Sequence, residues 1–263
     1  MDEDLAVALE LADLADRATL PAFESQDFRV ETKPDLSLVT EVDRDVEALL
    51  RDRIARHRPG DEVAGEEMGG AHGGPPAGRR WILDPIDGTH NFVHGIPVYA
   101  TLIGLQDGPD LRVGLASAPA LGRRWWAVRG QGAFVDGREI AVSKIDRLDQ
   151  ATLSFTSLVE FERAGLGEPF MDLARRCWRS RGLGDFWQHV LVAEGSIEIA
   201  LEPALALWDI AAVKLIVEEA GGRFTNLAGD PAFAAGSAVS TNGLLHDEVL
   251  DTFRSAGSAL PRG

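Results

Sequence analysis

Trp81-Ile82-Leu83-Asp84-Pro85-Ile86-Asp87-Gly88-Thr89 carries an apolar triplet into two aspartates separated by a proline and an isoleucine. The triplet reads as a short strand that delivers the Asp84 carboxylate to a sheet edge. Pro85 has no N–H, so pairing is expected to stop there and the chain to turn. Across that turn the Ile86 carbonyl and the Asp87 carboxylate point back toward Asp84, an oxygen-rich setting of the kind hard divalent cations take. Gly88 removes the side chain where backbone approaches a ligand, and Thr89 opens a short helix whose free N–H groups face a phosphate. Asp-Pro and Asp-Gly are each common surface turns, and a turn explains either pair alone. It does not explain their juxtaposition.

Upstream, Leu5, Leu9, Ala12 and Asp16 stand at helical spacing, and acids at positions 2 to 4 occupy the place where a signal peptide needs basic residues. Thr40-Glu41-Val42-Asp43, followed by Val46, Leu49, Leu50 and Ile54, predicts a second helix with Thr40 as N-cap and Asp43 completing a capping box. Gly65-Glu66-Glu67 adds carboxylates just before residues 69–78, a stretch so rich in Gly and Pro that it reads as a mobile loop. Downstream come further strands, the last two joined by Asp136-Gly137, a two-residue hairpin signal. Beyond Ser143-Lys144 the pattern changes to strands over 152–156 and 197–201 and helices over 168–178, 185–194 and 210–220. Asp209 reads as N-cap of the last of these, which stops at Gly221-Gly222. The expected division is 1–142, an N-terminal α+β domain, and 143–263, a C-terminal α/β domain, with a disordered tail after Arg254.

The formal net charge of −16 over 263 residues argues against a nucleic-acid partner, and an anionic substrate must meet a local positive charge. No apolar run approaches the roughly 20 residues that span a bilayer. Cys177 is the single cysteine, so no internal disulfide forms, and it reads as a buried thiol on a helix. A cytoplasmic, membrane-free chain is the expectation. Glu194 reads as a solvated helix-end acid, His90 and His94 as groups outside the metal cluster, and Trp187 as a pocket-lining residue.

Taken together, Gly65-Glu66-Glu67, Asp84-Pro85-Ile86-Asp87-Gly88-Thr89 with Asn91-Phe92, and Trp208-Asp209 ahead of Glu219-Ala220-Gly221-Gly222 resemble the inositol monophosphatase family, in motif order and over nearly the whole chain. Lys33 and Thr40 to Asp43 fall where that family has an upstream lysine and a Val-Thr-x-x-Asp segment. Residues 123–127, 181–186 and 240–244 are similar to its bacterial histidinol-phosphatase branch. The resemblance implies a layered α/β/α/β/α sandwich, a homodimer, two or three Mg²⁺ ions per site and a small-molecule phosphate ester as substrate. One metal would take Glu66, Asp84 and the Ile86 carbonyl; a second would share Asp84 and add Asp87 and Asp209; a third would involve Glu66. Thr89, linked to Asp43, would orient and deprotonate the attacking water with support from Glu66. The Gly88 and Thr89 N–H groups would cradle the phosphate, with Ile86, Asp87 and Asp209 also at the substrate. An ammonium and an imidazole on the substrate favour acidic neighbours, and Asp185 and Glu202 are the candidates, with Arg181 contacting phosphate or organising Asp185. The alternatives are an inositol-1-phosphate phosphatase using the same metals and a catalytically silent scaffolding member, the latter disfavoured because every ligand position is filled.

Overall fold

The computed structural model describes residues 2–34, 36–70, 78–231 and 236–256. α1 (Glu3–Ser25) is capped by the Asp2 carboxylate, which accepts from the Asp4 and Leu5 N–H groups. A short hairpin, β1 (Val30–Thr32) and β2 (Leu38–Thr40), leads into α2 (Glu41–His57). The expected capping box is formed: Asp43 Oδ2 accepts from Thr40 N–H at 2.8 Å, and Thr40 Oγ1 accepts from the Val42 and Asp43 N–H groups.

A seven-stranded sheet follows. It runs in sequence order through β3 (Glu62–Gly65), β4 (Arg79–Asp87), β5 (Ala100–Asp107), β6 (Asp110–Ala118), β7 (Arg123–Val128), β8 (Ala133–Val135) and β9 (Arg138–Ile140), with the short helix α3 (Thr89–Val93) after β4. Only the β3–β4 pair is parallel. Asp136 and Gly137, at φ 50° and 81°, turn β8 into β9 as a two-residue hairpin requires.

The second sheet has five strands in the order β11-β10-β12-β14-β13. Its strands are β10 (Thr152–Phe155), β11 (Arg179–Arg181), β12 (Ile199–Leu205), β13 (Arg223–Thr225) and β14 (Gly236–Thr241). Helices α4 (Leu158–Arg163) and α5 (Gly167–Arg176) pack on it with residues such as Phe161 and Phe170. Two more, α6 (Asp185–Ala193) and α7 (Leu207–Glu219), pack against both sheets: Ile210, Val213 and Val217 share one core with Ile82 and Leu102 of the first and Ala200 and Ala238 of the second. α8 (His246–Ala256) joins α4 and α5 through Val249, Leu250 and Phe253. On the far face of the first sheet, Trp81 and Leu83 of β4 pack against Leu11 of α1 and Leu50 of α2. The result is the expected α/β/α/β/α sandwich.

Strand parity then places the chemistry. Trp81 and Leu83 face α1 and α2, whereas Ile82 faces α7. Asp84 has the parity of Ile82 and so is directed to the side of the sheet that α7 covers. β4 does not end at Pro85, contrary to the turn expected there. Pairing steps from Asp84↔Leu102 to Asp87↔Ala100, three residues against two, which is a bulge. A proline fits inside a bulge because no ladder N–H is required of it, and its carbonyl accepts from Thr101 Oγ1 at 2.8 Å.

α7 lies very close to the sheet. A Cβ added at Gly114 would sit 2.4 Å from the Ala212 carbonyl oxygen and 3.2 Å from Leu215 Cβ. Gly114→Ala is therefore expected to destabilise the fold by about 2 kcal/mol or more through overpacking, read as a lower urea midpoint. An unchanged midpoint would show that the helix–sheet contact yields freely.

Four other expectations are corrected or bounded. The helix read to Trp178 ends at Arg176, leaving Cys177 as its buried C-cap, its thiol pushed up to about 11 by burial. Glu194 is no solvated acid: its carboxylate accepts from Trp125 Nε1 at 2.8 Å and pairs with Arg123 at 3.1 Å. α8 continues through Ala256, past the expected start of the disordered tail. Residues 71–77 of the expected mobile loop and those beyond 256 lie outside the described residues. Among the described residues no helix is long and apolar enough to cross a membrane.

Candidate functional site

The β4 bulge, the start of α6 and the start of α7 meet at one point. Asp84 Oδ1 accepts from Ile86 N–H at 3.0 Å, which holds the carboxylate against its own bulge. Asp87 Oδ2 accepts from Phe186 N–H at 2.7 Å, tying β4 to the first turn of α6. Asp209 is the third residue of α7, not its N-cap as the sequence suggested. Ala206 is the cap, and Asp209 Oδ2 accepts its N–H at 2.7 Å. One oxygen from each of Asp84, Asp87 and Asp209 lies within 4.8 Å of the other two. Glu66, just after β3, lines the same cleft and pairs with Lys33 Nζ at 2.7 Å, which also meets Glu67 at 2.6 Å.

Gly88 has φ 83°, in the left-handed region, and a Cβ there would lie 3.0 Å from the Val98 carbonyl oxygen and 3.3 Å from Asp185 Oδ2. Only glycine meets both demands. Thr89 Oγ1 stands 2.9 Å from the Ile86 carbonyl and 3.5 Å from Asp43 Oδ1, so its single proton goes to the carbonyl in this geometry. Asp43 is fully buried beneath Thr40 and Thr89 and does not itself line the cleft.

The cleft has a volume of about 320 Å³. β4 and the starts of α3 and α7 contribute Asp84, Ile86, Asp87, Gly88, Thr89 and Asp209; the second sheet with α4 and α6 contributes Glu160, Asp185, His189 and Glu202. Asp185 sits at φ 50°, strained for a residue with a side chain, and its Oδ2 accepts from Asn91 Nδ2 at 3.0 Å. Arg181 stands apart. It is exposed at the end of β11, donates to the Ser180 carbonyl and does not line the cleft. Trp187 likewise packs on the core between the sheets, against the pocket-lining role expected for it. His90 and His94 stack on each other at 4.2 Å, outside the cleft lining. Glu160 and His189 were not legible as site residues, since each reaches the cleft only through packing of the second sheet; the one signal was that Glu160 follows the end of the parallel strand β10, where α/β sheets place ligands.

No Lys or Arg is among the described residues lining this cleft. Burial first, and then repulsion from Glu66, Asp87 and Asp209, holds the Asp84 carboxyl well above the usual range. Burial, then Asp185 and Asp209, does the same to Asp87. Asp209 and Asp185 are each pushed up to about 7, chiefly by burial with carboxylate neighbours adding to it, and Asp43 to about 6 for the same reasons. Acids so placed cannot all ionise without added positive charge. An all-oxygen donor set at this spacing fits a hard divalent cation.

Residues 1–258 match the inositol monophosphatase family, and the chain belongs to it. It is 53% identical to a histidinol-phosphatase of Mycobacterium tuberculosis, over 94% of this chain and 96% of the relative. A Streptomyces coelicolor histidinol-phosphatase is 50% identical over the same shares. Among solved structures, a Thermotoga maritima IMPase superimposes with a TM-score of 0.88 at 31% identity, covering 99% of this chain and 100% of that one. The chain is thus a phosphatase, a phosphoric monoester hydrolase of the inositol monophosphatase fold.

Proposed function

We propose that this phosphatase converts histidinol phosphate and water to histidinol and phosphate, using two or three Mg²⁺ ions held by Glu66, Asp84, the Ile86 carbonyl, Asp87 and Asp209. The observation that carries the substrate is the 50% or greater identity, over nearly full length, to two proteins named for that reaction. The second acidic group in the cleft, Glu160, Asp185 and Glu202, supports it, because an ammonium and an imidazole suit such neighbours where a neutral polyol does not need them.

Bound Mg²⁺ supplies the positive charge that neutralises the phosphate, acidifies a nearby water and offsets charge on the departing alkoxide. The chain's own groups do the positioning. Gly88 and Thr89 hold the phosphate against the β4 bulge. The Thr89 hydroxyl, which here donates to the Ile86 carbonyl, would turn its proton to Asp43 Oδ1, 3.5 Å away, and accept the proton of the attacking water in its place, with Glu66 supporting that water. Asp43, pushed up to about 6 by burial, has a proton affinity suited to a base at neutral pH. Asp185 and Glu202 receive the cationic end of the alcohol. Arg181 has no part in this reading, given its place on β11.

Family membership is the support for a homodimer in the cytoplasm, and the change of motif near residue 142 is the support for a division there into a metal-binding and a substrate-selecting part. Light scattering on the purified chain checks the dimer. The substrate is tested by assaying a panel of phosphate esters with Mg²⁺. The expected result is a kcat/KM for histidinol phosphate at least about tenfold above that for inositol 1-phosphate, the worth of one good charge-assisted contact. Equal or lower turnover of histidinol phosphate overturns the reading.

A further inference from the structure

Behind the cleft, Glu202 is held by a buried polar relay whose three other members the reaction does not use. Glu202 lies on β12 at 3% exposure. Its Oε1 accepts from Gln188 Nε2 at 2.6 Å and stands 3.2 Å from His189 Nε2, while its Oε2 has no partner among the described residues. Gln188 and His189 are consecutive on α6 and entirely buried or nearly so, and neighbouring helical residues diverge around the axis. Their convergence on one oxygen is a specific arrangement rather than a by-product of helical spacing.

Each side chain has its orientation decided. The Gln188 amide nitrogen also donates to Thr156 Oγ1 at 3.3 Å, which leaves Gln188 Oε1 buried without a hydrogen-bond partner. Flipping the amide would set that oxygen against the Glu202 carboxylate, acceptor on acceptor. The amide therefore keeps an orphaned carbonyl, a cost that buried amides ordinarily avoid, in order to grip Glu202. His189 Nδ1 lies 2.7 Å from Ser240 Oγ on β14, and Ser240 pairs directly with Ala200 of β12. A carboxylate only accepts, so Nε2–H donates to Glu202, and in the neutral ring Nδ1 then accepts from the Ser240 hydroxyl. Phe224 closes the other side of the ring at 5.4 Å.

With both donors on Oε1, the Glu202 carboxylate cannot rotate, and Oε2 is the oxygen left to a ligand. We propose that Gln188, His189 and Ser240 are positioning residues that lock Glu202 so that Oε2 meets the cationic end of the alcohol, and that this lock sets the preference between cationic and neutral phosphate esters. The proposal rests on the substrate reading above for the identity of that cation.

The test measures KM and kcat for histidinol phosphate and for inositol 1-phosphate with Mg²⁺, in the wild type and in Gln188→Leu, His189→Phe and Ser240→Ala. The first two are expected to raise the ratio of the two KM values about tenfold, the loss of an oriented charge-assisted contact, with KM carrying more of the change than kcat. Ser240→Ala, which removes one oxygen and leaves the fold's packing nearly intact, shifts the ratio in the same direction by less. His189→Gln, whose amide can still donate to Glu202, stays closer to wild type than His189→Phe. A ratio that stays at the wild-type value in all of them, or a parallel loss of kcat on both esters, overturns the lock. The wild type's own preference judges the substrate reading separately: a wild type that favours inositol 1-phosphate defeats that reading, while a ratio that moves in the variants still supports the lock.

Discussion

Asp84→Asn should lower kcat by about 10³-fold or more at saturating Mg²⁺, the loss expected when several kcal/mol of transition-state charge stabilisation disappear. The substitution is nearly isosteric, and the Asn carbonyl can still accept the Ile86 N–H that Asp84 holds at 3.0 Å. What it removes is one charge from the group in which Glu66, Asp87 and Asp209 already press on Asp84. The same change should therefore raise the melting temperature of the cation-free protein, because a buried acid surrounded by acids opposes folding when it must ionise. Loss of activity with gain of stability is a signature that a simple folding defect does not produce. Activity within tenfold of wild type, or a lower melting temperature without cation, would falsify the metal role given to Asp84.

Stripped of divalent cations, the protein should lose stability as pH rises from 6.5 to 8.5. Asp185 and Asp209 titrate near 7 in the fold, against 3.8 when exposed. An acid whose folded pKa is raised keeps its proton in the native state after the unfolded chain has released it, so the native state binds more protons and stability falls with pH until the folded pKa is passed. His246, buried between Thr225 and Thr241 and lowered to about 4 chiefly by burial, works in the other sense, but only between about 4 and 6.5, below this window. At pH 8.5 added Mg²⁺ should restore what was lost: a cation present at 100 times its Kd stabilises by about 2.7 kcal/mol, or roughly 5–10 °C in a chain of this size. Melting curves in EDTA and in Mg²⁺ at the two pH values read both effects. A melting temperature that rises with pH in EDTA, or that ignores Mg²⁺ at pH 8.5, goes against a site built from mutually repelling carboxylates.

Where signals were local, the sequence was readable. Thr40 and Asp43 form their capping box and Asp136-Gly137 makes its hairpin because in each case the partners lie within three residues. The acidic motifs were legible as a resemblance, and the fold brings Asp84, Asp87 and Asp209 together. Pro85 misled because a missing N–H forbids a regular ladder but not a bulge, and the carbonyl partner that stabilises the bulge, Thr101, comes from the next strand. Glu194 read as solvated because nothing near it in sequence shows that Trp125, 69 positions earlier, points its indole N–H at it. Gln188 and His189 had no local pattern, since what gives them meaning is Glu202 on β12, and Glu160 had only its place after β10.

The bulge at Pro85 also has an evolutionary reading. It carries β4 of the first sheet into the cluster of Asp84, Asp87 and Asp209, whereas Glu202 comes from the second sheet and Glu160 and Asp185 from α4 and α6. The two meet through contacts such as Phe186 N–H to Asp87. On the division of roles proposed above, substitutions among the second group retune which alcohol is accepted while the hydrolytic apparatus is inherited unchanged. A fold assembled in this way can exchange one customer for another without reinventing its trade.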